Sequence, residues 1–91
     1  MGWNSPGMIR ERTPRQPLKT KLYIREYKLF LKRLRQARED SHFTQVQVAK
    51  LLSRPQSFVS KAESGEHRVD FVELRHPARI YRKPLSFFET R

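Results

Sequence analysis

From Ile24 onward the apolar residues fall into step with a helix, Tyr27, Phe30, Leu31, Leu34 and Ala37 recurring at intervals of three and four. Lys28, Lys32, Arg33 and Arg35 take the other side of the same helix. The spacing predicts an end near Asp40 to Ser41, with His42 in the left-handed conformation that lets the chain turn. Thr44 then has the chemistry of an N-cap. Gln47, three residues on, completes a capping box, so two orphan N–H groups find acceptors. Phe43 and Val48 flank that cap as a hydrophobic staple, and Val48, Ala49, Leu51 and Leu52 give the second helix its inward side.

Pro55 suits the first turn of a third helix, where its missing N–H costs nothing, and it biases Arg54 toward the extended shape of a cap. In that helix Phe58, Val59 and Ala62 share the inward face, while Gln56, Ser57, Ser60 and Lys61 point outward. Gly65 closes it with a left-handed cap. Asp70 can cap a fourth helix through Phe71, Leu74 and Ala78, but Pro77 falls inside it. A proline there removes a ladder bond and clashes with a carbonyl, at about 3 kcal/mol, so the expectation is a break near His76 and a fresh turn through Tyr81. Leu85, Phe87 and Phe88 form a last short segment after Pro84.

Residues 1–24 have no such order. Pro6, Pro14, Pro17, Gly2 and Gly7 with no apolar period predict a flexible arm, and residues 25–91 remain as one domain. The arm is basic: through Arg25, six bases against Glu11 leave +5. Its plain account is a solubilising tail; the sharper one is a strand of positive charge that follows a phosphate backbone or groove. Trp3 has no assigned role.

The whole chain has 20 Lys and Arg against 9 Asp and Glu, a net charge of +11, which favours a polyanionic partner such as nucleic acid or an acidic membrane surface. With no cysteine there is no disulfide and no thiolate metal site. The absence of a secretory apolar run or a spanning segment makes a cytoplasmic protein without a membrane partner the expectation. His42, His67 and His76 lack the spacing of a metal site, and no glycine-rich phosphate loop or nucleophile motif appears. Neither an enzyme nor a cofactor is expected.

Two short helices joined by a tight turn, the second with small polar residues outward, form a helix-turn-helix suited to the major groove of duplex DNA. Gln56 at the start of the second can pair bidentately with adenine, Lys61 reaches guanine or phosphate, and Ser57 and Ser60 allow close approach. Gln45 would set an amide and a helix N-terminus against a phosphate.

Through Thr44-Gln45, Ala49, Arg54-Pro55-Gln56-Ser57-Phe58-Val59-Ser60-Lys61 and Glu63-Ser64-Gly65-Glu66, residues 26 to about 88 resemble the helix-turn-helix domain of the phage repressor and Cro class. The resemblance implies an all-α, five-helix fold. It implies DNA contacts by Gln45, Arg54, Gln56, Ser57, Ser60 and Lys61, a phosphate contact by Arg68, and pairing of Arg38 with Glu63. Thr44, Ala49 and Gly65 would support the motif from behind. Ser53 and His42 stand where the family favours glycine, Ala62 is smaller than the usual core residue and could leave a gap, and His76-Pro77 interrupts a helix normally continuous.

The function expected on this basis is a sequence-specific transcriptional regulator, a repressor-like homodimer on double-stranded DNA with Phe87 and Phe88 at the dimer contact, their ordinary alternative being core packing. An antitoxin using the same domain, with the N-terminal arm masking a protein partner, is one competing reading. Non-specific binding to nucleic acid or anionic lipid is another, and it would show no dependence on base sequence.

Overall fold

A computed structural model describes residues 17–89; residues 1–16, including Trp3 and most of the expected arm, lie outside them. The described chain is all-helical. Helix α1 (Pro17–Asp40) is followed by α2 (Gln45–Leu52), α3 (Gln56–Ser64), α4 (Phe71–Tyr81) and a 3₁₀ turn, Leu85–Phe88. The fifth helix of the expected fold is therefore a single 3₁₀ turn, since only four residues separate Pro84 from the extended backbone of Glu89.

The expected boundary at residue 24 falls inside α1. Pro17, read as a breaker, occupies the first helical position, where a proline lacks only an N–H that has no partner within the helix. Residues 17–24 are helical, and α1 runs for 24 residues, about 36 Å at 1.5 Å per residue.

Local chemistry sets the other helix starts. Thr44 accepts from the Gln47 N–H while the Gln47 side chain accepts from the Thr44 N–H, and Asp70 and Glu73 repeat the same box at the head of α4. Pro55 stands one residue earlier than expected: it is the N-cap of α3, with φ −67° and ψ 154°, and its carbonyl accepts from the Phe58 N–H. Left-handed residues end the helices. Gly65 closes α3 at φ 92°, and a Cβ there would stand 3.0 Å from Leu31 Cδ1. Ser53 and Arg82 close α2 and α4 at φ 57°, and His42 follows α1 at φ 62°; each carries a side chain where glycine would be unstrained.

Leu34 and Ala37 of α1, Val48 and Ala49 of α2, Val59 of α3, Ala78 and Tyr81 of α4, and Phe88 form the buried core, with Phe30, Phe43, Leu52 and Phe58 packed around it. Phe88 is 4% exposed, with its ring tilted against Phe30 at 6.4 Å, which is the core packing given above as the alternative to a dimer contact. Phe87, half-buried, lies beneath the Lys83 ammonium at 4.6 Å and the Arg33 guanidinium at 5.6 Å.

The expected break at His76 does not occur. Helix α4 continues through Pro77 to Tyr81. Stopping at His76 would withdraw Ala78 and Tyr81 from the core, and full burial of one large side chain is worth about 1.5–3 kcal/mol, enough with the capping box to offset the proline. Pro77→Ala should restore the ladder bond and stabilise the domain by about 1–3 kcal/mol. Thermal melting checks this, and an unchanged or lower Tm would contradict it.

Candidate nucleic-acid interface

The interface is built outward from one buried acid. Glu63, 3% exposed on α3, accepts at Oε2 from Arg38 Nε (2.7 Å) and at Oε1 from Arg38 Nη2 (3.1 Å) and Gln45 Nε2 (3.0 Å). Arg38 Nη1 donates to the Phe43 carbonyl (2.9 Å), so the guanidinium fixes both the carboxylate and the turn before α2. Donating to the Glu63 carboxylate raises the Arg38 pKa further, against the opposing effect of burial. Burial pushes the nearby Tyr81 phenol upward, reinforced by the Glu63 charge. Three helices are thus joined by one charge-assisted cluster.

The cluster ends at the surface. Gln45 Oε1 accepts from Gln56 Nε2 at 3.1 Å, so the glutamines that begin α2 and α3 are linked, and the chain of bonds runs Arg38, Glu63, Gln45, Gln56. Gln45 is half-buried, with its amide engaged on both sides. Its placement makes it a bridge to Gln56 as well as a candidate contact. Spacing alone did not reveal this link, although two glutamines at the heads of consecutive helices are its sequence trace.

Around α3 the faces separate as the apolar spacing predicts. Val59 and Ala62 are buried and Phe58 half-buried, whereas Gln56, Ser57, Ser60 and Lys61 are exposed. Thr44 and Gly65 set the start of α2 and the end of α3, and buried Ala49 packs in the core. A cleft of about 390 Å³ is lined by Ala62 together with Val48, Leu52, Ile80 and Tyr81.

Two further cations flank this face. The Arg54 guanidinium lies 4.4 Å above the Phe58 ring. Arg68, in the loop after α3, lies 4.4 Å above the Tyr27 ring and 5.2 Å from Tyr23, and its Nη1 donates to Tyr23 Oη at 3.0 Å. Tyr27 Oη accepts from the Val69 N–H at 3.0 Å, which pins the loop to α1. Tyr27 belongs to the apolar spacing of α1 and Tyr23 precedes it; their interval of four on one helix is the sequence signal of this shared contact. His67 Nε2 lies 3.0 and 3.1 Å from the Glu73 carboxylate oxygens, at the capping box of α4.

No helix of the described residues is long and apolar enough to cross a membrane, and among them no group of His, Asp and Glu is placed to hold a metal ion. A family model described as a helix-turn-helix domain matches residues 30–84, more than half of the chain. No curated protein and no solved structure matches it.

Proposed function

This chain belongs to the helix-turn-helix domain family, and from that premise we propose that it is a sequence-specific duplex DNA-binding regulator of the phage repressor and Cro type. It reads the major groove with α3, acts as a homodimer in the cytoplasm, and represses by occupying its site rather than by catalysis. The observation that carries this reading is the exposed row Gln56, Ser57, Ser60 and Lys61, mounted on a helix whose other side is held by core packing and by Glu63. A reading helix needs donors and acceptors outward and rigidity behind. Gln56 has both, because its amide is oriented by Gln45 before any base is met.

Arg54 and Arg68 act as phosphate contacts in this reading, the first held over the Phe58 ring and the second over Tyr27 and bonded to Tyr23. Non-specific binding would follow from charge alone but gives no reason for the row on α3 or the bonds behind it. The antitoxin reading rests on the arm 1–24, of which residues 1–16 lie outside the described structure and 17–24 are part of α1, and no other feature favours it.

Selection of bound duplexes from a random pool tests the proposal. The expected product is a palindrome with half-sites about one helical turn apart. On that site Gln56→Ala should cost about 1–3 kcal/mol and relax preference at one base pair. Equal losses on every duplex, or no enriched sequence, would contradict it.

A further inference from the structure

Helix α1 starts 13 residues before the region matched to the family, and this extension carries a regular charge pattern. Lys21, Arg25, Lys28, Lys32 and Arg35 follow one another at steps of four, three, four and three, so they share one helix face. At 1.5 Å per residue the row spans about 21 Å. All five side chains are exposed. Glu26, the one acid in this span, falls about 100° round the helix from Arg25, and Glu39 occupies the next place in the series and closes it. Among the described residues Lys21, Arg25, Lys28 and Lys32 form no ion pair, and their charge is not neutralised by the helix itself.

The row has a defined neighbour at one end. Arg35 Nε lies 4.0 Å from Glu63 Oε1, the carboxylate that holds Gln45 and, through it, Gln56. The row therefore begins beside the surface assigned to base reading and extends along α1 away from it. On the inward side of the same extension, Tyr23 and Tyr27 hold Arg68 and the loop after α3, which fixes the direction of the helix relative to the reading surface.

We propose that the Lys21, Arg25, Lys28, Lys32 and Arg35 face of α1 binds the phosphate backbone of duplex DNA flanking the site read by α3. This rests on the function proposed above. A row of mobile ammonium and guanidinium groups at helical spacing suits a polyanion with one negative charge per ~1.7 Å, and each phosphate neutralised releases counterions. The contact carries no base preference; it lengthens the footprint and sets the salt dependence. An anionic membrane could also attract such charge, but the junction of the row with the Glu63 and Gln45 cluster favours the duplex.

The test compares Arg25→Ala/Lys28→Ala with Arg75→Ala/Arg79→Ala, exposed bases on α4 whose loss changes net charge equally. Affinity is measured against salt for a selected duplex in two lengths, one ending at the site and one extended beyond it. The α1 variant should flatten the slope of log K against log salt by about 2 and lose the gain from the longer duplex, with the preferred sequence unchanged. The α4 variant should keep both. Equal effects of the two variants, an unchanged slope for the α1 variant, or loss of binding to phosphatidylserine vesicles with DNA binding intact would overturn the proposal. Gln56→Ala, run alongside, reports on the reading helix separately: its loss of base preference with an unchanged α1 slope would leave the base-reading function standing and remove only the backbone contact.

Discussion

Arg38→Met is expected to cost about 3–5 kcal/mol, the largest loss from any single surface-proximal side chain in this domain. The reason is what remains. Glu63 is left at 3% exposure with only Gln45 donating to it at hydrogen-bond distance, while Arg35 stands at 4.0 Å. An ionised carboxylate in that position is strongly disfavoured without its bidentate partner. The turn also loses the Nη1 bond to the Phe43 carbonyl. Removing both charges, as Arg38→Met with Glu63→Met, should recover much of the loss, because no uncompensated ion is left behind. Urea unfolding of the two single variants and the double measures the coupling. A single-variant loss below about 1 kcal/mol would place the pair among weak surface bridges instead.

Phe88→Ala should remove about 3–5 kcal/mol, a large part of the stability of a small domain. Its ring is enclosed by Phe30 on one side and meets Phe87 edge-on at 5.4 Å, so truncation opens a cavity where the 3₁₀ turn seats on α1. Phe87→Ala should cost far less, about 1 kcal/mol, since its ring is half-exposed and held mainly by Arg33 and Lys83. Denaturant melts paired with sedimentation over a range of concentration separate packing from association. A Phe88→Ala variant that stayed fully stable but lost self-association would return this ring to an interface role.

Much of the fold was legible because its signals are local. Thr44 with Gln47, Asp70, and Gly65 act within a few residues of themselves, and the apolar spacing of α3 divides its two faces without reference to the rest of the chain. Where a decision depended on distant partners, the residues read differently. Pro77 carries a real local cost that the burial of Ala78 and Tyr81 overrides. Pro17 could break or begin a helix, and only the continuation of α1 decides between them. Phe88 in isolation is an apolar side chain, and only the fold brings it against Phe30 and Phe87.

The candidate site divides in the same way. The outward row on α3 follows from spacing, and the proximity of Arg38 to Glu63 was implied by family resemblance. The Gln45 to Gln56 bond and the seating of Arg68 on two tyrosines link residues 11, 45 and 41 positions apart, and no periodicity encodes such meetings. They follow from α2 and α3 sharing a corner and from the loop after α3 lying along α1.

The amide handshake between the first residues of α2 and α3 has a thermodynamic corollary. Long flexible side chains each lose up to about 2 kcal/mol of rotamer freedom when immobilised. For these two glutamines much of that loss is incurred as the chain folds, so a ligand meeting Gln56 encounters a group already stilled. A change at position 45 would therefore be felt at position 56 as renewed motion, blurring discrimination without removing any atom that touches the ligand there.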